Sequence, residues 1–206
     1  MNDYSYLILG GDKRQLYLYD ILKSKNKNVK KIFLADNDDE YGFDENFKEN
    51  VIILPIPSSI DGKNLYTPLI KKTVPLNSVT ERISKDAVLF TGGENPLFTA
   101  SKAKKVVNLL SSETMTLQNA LATSEAAISI IINNTSHTIF KSNILVIGYG
   151  RIGEIITDYL IGLNGKVSVC ARKDTARVKA ALNGAETFDF DMLDKFLPKF
   201  DVIINT

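Results

Sequence analysis

Three glycines in the second half of the chain have the spacing of a dinucleotide-binding loop. The segment Ile144-Leu-Val-Ile-Gly148-Tyr-Gly150-Arg-Ile-Gly153-Glu-Ile-Ile follows an apolar strand at once and opens an amphipathic helix. In such a loop Gly148 allows the tight turn, Gly150 lets the backbone approach a pyrophosphate, and Gly153 lets the helix pack on the strand. The alternative is a plain strand-to-helix turn, which this context disfavours. The predicted contacts are Gly148, Tyr149, Gly150, Arg151, Ile152 and Gly153.

The end of the next strand decides which dinucleotide binds. An NAD enzyme usually has Asp or Glu there to hold the ribose 2′-hydroxyl, whereas this chain has Ala171, Arg172 and Lys173. Two cations suit a 2′-phosphate, so the sequence predicts NADP. NAD remains possible, because Asp174 is close enough to serve the ribose hydroxyls. We also place cofactor contacts at Asn205 and Thr206.

The first half of the chain offers loops for a substrate. In a two-domain dehydrogenase the substrate lies opposite the carboxyl ends of both sets of strands. The turn at residues 10–15 begins a helix, and its N–H groups with Arg14 suit a carboxylate. Further turns lie at residues 55–59 and 92–95, although each could simply reverse the chain. The predicted substrate contacts are Gly11, Arg14, Ser58 and Thr123.

Apolar runs and breakers outline an α/β protein with two sheets. Strands are expected at residues 4–9, 31–35, 51–55, 87–91, 143–147, 166–170 and 202–205, and helices at 15–22, 99–110, 123–133, 153–163 and 175–182. Thr123 or Ser124 would cap the third helix. We predict a flavodoxin/Rossmann-like parallel-sheet domain at 1–115, a connecting helix at 116–138 and an incomplete Rossmann domain at 139–206. Because the chain stops on a strand, we expect it to be truncated and its edge strand to favour a homodimer.

Composition excludes several function classes. With 25 basic and 24 acidic side chains the formal charge is +1, so no global field attracts nucleic acid or an anionic membrane. No apolar run approaches the length of a membrane span. One cysteine, Cys170, and one histidine, His137, cannot form a zinc site, and Cys170 should be an inert buried thiol. We expect a cytoplasmic protein, with His137 a loop or packing residue.

The motifs together resemble the family of the dipicolinate synthase A subunit. The resemblance runs over nearly the whole chain, although Ala122 stands where the family usually has Pro and the loop around Gly92 differs. The segments that carry it are Leu-Gly-Gly-Asp12-Lys-Arg14-Gln15, Ile-Ile-Leu-Pro55, Asn119-Ala-Leu-Ala-Thr123-Ser-Glu125-Ala-Ala, the glycine loop, Ala171-Arg172 and Asp201-Val-Ile-Ile-Asn205-Thr206.

The resemblance implies a function in a spore-forming bacterium. With a B subunit, such a protein would oxidise dihydrodipicolinate, a small dicarboxylate, to dipicolinate in the mother cell. Arg14 and loop N–H groups would hold the carboxylates, and the cofactor would carry the chemistry. No catalytic residue is identified, and Glu125 and Asp12 are the candidate proton acceptors. We expect the 206-residue chain alone to be inactive.

Two alternatives to this function remain open. One is a 2-hydroxyacid or alanine dehydrogenase, which has a similar arrangement but generally needs an acid–base histidine that this chain does not convincingly supply. The other is a non-catalytic regulatory subunit that binds NADP.

Overall fold

The structure divides the chain into two compact α/β units. It is a computed structural model that describes residues 4–35 and 46–206. The units are Met1–Glu113 and Thr114–Thr206, and each is built on one parallel sheet. The predicted α/β fold class is confirmed.

The first unit has the strand order of a flavodoxin-like sheet. Its five strands are arranged β2-β1-β3-β4-β5 and all neighbours are parallel. The elements are β1 (Ser5–Leu9), α1 (Lys13–Ser24), β2 (Asn28–Ile32), β3 (Val51–Ile53), α2 (Leu76–Thr80), β4 (Val88–Thr91), α3 (Pro96–Thr99) and β5 (Lys105–Asn108). Leu7, Leu9, Ile52 and Leu89 are fully buried in its core, as expected for strands covered on both faces. The carboxyl ends of these strands therefore share one edge.

The second unit has the strand order of half a Rossmann sheet, β8-β7-β6-β9. Its elements are α4 (Glu113–Asn134), β6 (Asn143–Ile147), α5 (Arg151–Gly162), β7 (Lys166–Cys170), α6 (Asp174–Leu182), β8 (Glu186–Phe188), α7 (Leu193–Phe196) and β9 (Val202–Asn205). The core is formed by buried side chains of β6, β7 and α5, including Ile144, Val169 and Ile156. β9 lies at an edge, and the homodimer expected from that edge stays a prediction.

One helix prediction was wrong, and the start of another was misplaced. Residues 99–110 form the end of α3, an irregular turn, β5 and the start of a 3-10 turn, because Val106 and Val107 pair in parallel with β4. A short apolar run with β-branched residues fits a buried strand as well as a helix. The helix expected to start at Thr123 or Ser124 begins at Glu113 instead. Ser124 is mid-helix, and its hydroxyl donates to Ala120 O, four residues earlier, at 2.9 Å.

α4 is 22 residues long and contributes to the second unit's core. Ile131 is buried there, and Ala127 and Ile128 pack beside it. The Ser124 hydroxyl also approaches Ile152 O at 3.4 Å, so α4 lies against the start of α5. Nowhere in residues 4–35 and 46–206 is a helix both long and apolar enough to cross a membrane.

Candidate dinucleotide-binding site

Two of the three motif glycines, Gly148 in the loop after β6 and Gly153 in the first turn of α5, are required by close packing. Gly148 has φ +97°, and its N–H donates to Cys170 O at 2.9 Å, which ties the loop to β7. A Cβ at Gly153 would lie 2.5 Å from Gly148 O. A Cβ at Gly148 would lie 2.6 Å from Thr206 O, and since both close approaches are to backbone oxygens, neither glycine could carry a side chain without movement of the backbone.

Gly150, in contrast, has open space around it. No described atom outside its chain neighbours would lie within 4 Å of a Cβ added there. Gly150 is the N-cap residue of α5 and has no side chain with which to cap the helix. An α-helix leaves the N–H groups of its first turn without partners in the helix, and they carry partial positive charge. This helix end is therefore suited to an anion such as a pyrophosphate.

A cavity of about 430 Å³ opens beside the glycine loop. Eight of the predicted cofactor contacts line it: Gly148, Tyr149, Gly150, Ala171, Arg172, Lys173, Asn205 and Thr206. Ile147, Ala176 and Phe190 complete the lining. Arg151, Ile152 and Gly153 lie outside the lining and form the first turn of α5. The structure thus brings residues from three strand ends together around the loop.

The loop between β7 and α6 is held by Arg177. Its Nη1 donates to Ala171 O at 2.6 Å and to Arg172 O at 3.0 Å, and its Nη2 forms an ion pair with Asp174. Asp174, the alternative ribose partner, is therefore bound to Arg177, although its side chain is 88% exposed. Arg172 and Lys173 remain the charged residues that line the cavity, and both are cationic.

Two residues of this site were not predicted from the sequence. Phe190 follows β8, a three-residue strand that was not predicted, and its ring lies 5.6 Å from the Arg172 guanidinium carbon. Asn183 Nδ2 donates to Tyr149 Oη at 3.1 Å and to Asp158 Oδ1 at 3.0 Å, which ties the glycine loop to the end of α6. Burial raises the pKa of Tyr149. Only a correct placement of β8 would have indicated Phe190.

In the first unit, the glycine turn after β1 is filled by the protein's own groups. Gly11 N–H donates to Tyr66 O at 2.7 Å, and the Asp12 carboxylate accepts from Arg14 N at 2.9 Å as part of a capping box with Gln15. Arg14 binds Asp12 through Nε and Nη2, and Nη2 also donates to Ile56 O at 2.6 Å. The Arg14 hydrogen bond holds the pKa of Asp12 below its usual value.

Ser58, another predicted substrate contact, is buried in the first unit and its hydroxyl is hydrogen-bonded to the backbone. It is 2% exposed. Its hydroxyl donates to Pro55 O at 2.9 Å and accepts from Gly92 N–H at 2.7 Å. The hydroxyl therefore joins the β3 and β4 loops, and a substrate could reach it only by displacing these partners. Of the predicted substrate contacts in the first unit, Arg14 has an exposed side chain, with 52% of its surface accessible.

The remaining candidates lie away from the glycine-loop cavity. Glu125 lines a separate groove with Asp158 and Tyr159, and Thr123 is exposed with its hydroxyl donating to Asn119 O at 2.7 Å. His137 lines another cavity after the end of α4. Cys170 is buried, as predicted, and burial raises the pKa of its thiol, which makes it a poor nucleophile.

The fold and the site together define a class of protein. A parallel sheet, a glycine loop at the start of the following helix and a cavity across the strand ends are the features of a Rossmann-type nucleotide-binding protein. An NAD-dependent formate dehydrogenase from Staphylococcus aureus, solved in complex with NAD, has this fold, with a TM-score of 0.52 and 15% identity over 98% of this chain and 64% of that one.

Family membership follows from a more specific match. The family model for the N-terminal domain of the dipicolinate synthase A subunit matches residues 5–112, and the chain belongs to this family. It is 27% identical over 215 residues to the dipicolinate synthase A subunit of Bacillus subtilis (strain 168), covering 97% of this chain and 71% of that protein. The predicted resemblance is confirmed.

Two solved structures are similar over nearly the whole chain. The crystal structure of the dipicolinate synthase A subunit from Bacillus subtilis has a TM-score of 0.72 and 25% identity, and it covers 100% of this chain and 73% of that one. The corresponding protein from Bacillus halodurans has a TM-score of 0.73 and 24% identity, with 99% and 74% covered. Both therefore share the fold of the two units described above.

Proposed function

We propose that this chain is the A subunit of a dipicolinate synthase that binds a nicotinamide dinucleotide, with NADP preferred over NAD. With a B subunit it would oxidise dihydrodipicolinate to dipicolinate during sporulation, in the mother cell. The observation that carries the proposal is the presence, in a member of this family, of a glycine-loop cavity whose helix end lacks a side-chain cap.

The residues around the cavity fit a phosphorylated dinucleotide. Gly150 leaves room for a pyrophosphate to approach the first turn of α5. Arg172 and Lys173, at the end of β7, suit the 2′-phosphate of NADP. Asn205 and Thr206, at the end of β9, line the same cavity and would contact the cofactor beyond the pyrophosphate.

Bound in this cavity, a nicotinamide dinucleotide would supply a hydride acceptor for the substrate ring as the ring becomes aromatic. The chain's own contribution is positioning. We propose that Arg14 holds a carboxylate of the substrate, since its side chain, in the first turn of α1, is 52% exposed beyond its contacts with Asp12 and Ile56 O. Neither candidate proton acceptor is favoured: the Asp12 carboxylate is bound to Arg14, which lowers its pKa, and Glu125 lines a groove separate from the glycine-loop cavity.

Binding is tested by a matched pair of glycine substitutions. Both Gly150 and Gly162 have space for a methyl group in the protein, but only Gly150 lines the glycine-loop cavity. We expect Gly150→Ala to weaken NADPH binding by about tenfold or more, because the methyl group occupies the space of the pyrophosphate. Gly162→Ala, in the same helix, should bind as the wild type does. The measurement is a calorimetric titration of the purified chain with NADPH and NADH.

The titration distinguishes a wrong proposed function from a wrong position of the pyrophosphate. If the wild-type chain binds neither nucleotide, the proposed function is wrong. If it binds both but Gly150→Ala changes nothing, the cavity is not where the pyrophosphate lies. Circular dichroism of both variants shows that any lost affinity is not lost folding.

Catalysis is tested with the partner subunit present. The chain mixed with a B subunit, dihydrodipicolinate and NADP should produce dipicolinate and NADPH, followed by absorbance. Tight NADPH binding without turnover would favour the non-catalytic regulatory subunit. Turnover of 2-hydroxy acids or alanine would instead favour the dehydrogenase alternative.

A further inference from the structure

Arg172 and Phe190 are placed together by the register of two neighbouring strands. β7 and β8 are parallel, and Cys170 pairs with Phe188. Arg172 lies two residues beyond this pair in the loop that follows β7, and Phe190 lies two residues beyond it at the start of a short 3-10 turn that follows β8. The guanidinium carbon of Arg172 is 5.6 Å from the centroid of the Phe190 ring, within the range of a cation–π contact.

The Phe190 ring acts on a side chain whose backbone is already fixed. Arg177 holds the carbonyl oxygens of Ala171 and Arg172, so the remaining freedom at this point is in the Arg172 side chain. A long arginine side chain loses substantial rotamer entropy when it is ordered by a ligand. A ring that orders it beforehand reduces that cost. Phe190 is 38% exposed and lines the cavity, so the contact lies where a ligand would bind.

A contact with a ring face leaves the N–H edge of a guanidinium available for a ligand. A guanidinium that stacks on a ring uses its planar face, whereas its N–H groups point outward in the plane. A phosphate binds to that N–H edge, frequently through two parallel hydrogen bonds. Arg172 can therefore contact Phe190 and a phosphate at the same time.

We propose that Phe190 is a positioning residue that orders Arg172 for the 2′-phosphate of NADP and so determines the preference for the phosphorylated dinucleotide. This inference rests on the proposed function. The preference for NADP would then depend on Phe190, which follows β8, as well as on Arg172 and Lys173 in the loop after β7.

The test compares probes that differ only in the 2′-phosphate. We expect Phe190→Leu, which keeps an apolar side chain but removes the ring face, to weaken the binding of NADPH and of 2′,5′-ADP about three- to tenfold. Binding of NADH and of 5′-AMP should change less than about twofold, within the ordinary scatter of such variants. Phe190→Tyr retains the ring and should bind as the wild type does. Phe140→Leu is the control, because it removes an exposed ring beneath Lys141 elsewhere in the same unit.

A double-mutant cycle shows whether Phe190 acts through Arg172. In an Arg172→Ala background, Phe190→Leu should cause no further loss of NADPH affinity. Equal losses for NADPH and NADH, or an undiminished loss in the Arg172→Ala background, would overturn the inference, as would a wild type that binds NADPH no more tightly than NADH. If the wild type binds neither nucleotide, the proposed function fails and the inference with it.

Discussion

Each sheet carries a glycine turn between a central strand and the helix that follows it, and the two turns differ in what occupies them. After β1, a Cβ at Gly11 would lie 2.4 Å from Gln15 Oε1, and the N–H of Gly11 is bound to Tyr66 O. After β6, the space around Gly150 is open among the described residues. The first helix end is capped by Asp12, whereas the second is preceded by a glycine.

This comparison separates a shared motif from a binding site. Both turns join a buried parallel strand to a helix and both require glycine at positive φ, at Gly10 and Gly11 in one and Gly148 in the other. In the first unit a carboxylate of the chain itself takes the place that an anionic ligand would take. Of these two turns, the one whose helix has no side-chain cap is therefore the one that offers an anion site.

The largest effect is expected from placing an Asp, the residue type that caps α1, at Gly150, the N-cap position of α5. In Gly150→Asp, a carboxylate at the start of α5 would compete with a pyrophosphate for the same N–H groups. We expect NADPH affinity to fall by about 3 kcal/mol, roughly 100-fold, because like charges within about 4 Å repel strongly near a protein surface. Stability should change by only a few tenths of a kcal/mol, since Asp and Gly are both accepted N-cap residues. Titration and thermal unfolding measure the two quantities.

Gly150→Asn separates charge from steric exclusion in that experiment. Asn caps a helix as Asp does but adds no charge. A smaller loss for Asn than for Asp assigns the difference to charge, and equal losses assign it to occupied space. Unchanged NADPH binding in both variants would contradict the comparison itself.

The sequence was most informative where the relevant residues are adjacent in the chain. The strands at residues 143–147, 166–170 and 202–205 and the glycine loop were predicted, because a βα turn is encoded in about ten consecutive residues. β8 is only Glu186–Phe188 and half-buried, so no apolar run marked it, and the neighbour of Arg172 remained hidden. The Asp12–Arg14 ion pair was also missed, because the same residue types are typical both of a ligand site and of a turn in which the side chains bind each other.

A substitution at Ser58 tests whether its hydroxyl stabilises the loops of the first unit or contacts a substrate. Ser58→Ala removes a buried hydroxyl that satisfies Gly92 N–H and donates to Pro55 O. We expect a loss of about 1–3 kcal/mol in the free energy of unfolding, because a buried N–H is left without its partner. Ser111→Ala is the matched control, because that hydroxyl also donates to a carbonyl three residues earlier but is exposed. An unchanged stability combined with a raised KM for dihydrodipicolinate would instead support substrate contact by Ser58.

The smallest effect is expected from removing the Asp12 carboxylate, which caps α1 in the turn after β1. Asp12→Ala removes the cap of α1, and we expect it to cost about 1 kcal/mol of unfolding free energy at pH 7. Since the pKa of Asp12 is lower in the folded state, its stabilising charge is fully present above about pH 5 and is lost progressively as the pH falls below about 4. Urea unfolding at pH 7 and pH 3.5 should therefore show a smaller difference between wild type and variant at the lower pH. Asp86→Ala, at an exposed position of the same unit, is the control. If the Asp12→Ala difference is the same at both pH values, the carboxylate charge does not stabilise this turn, and the contrast with the uncapped helix end at Gly150 would rest on packing alone.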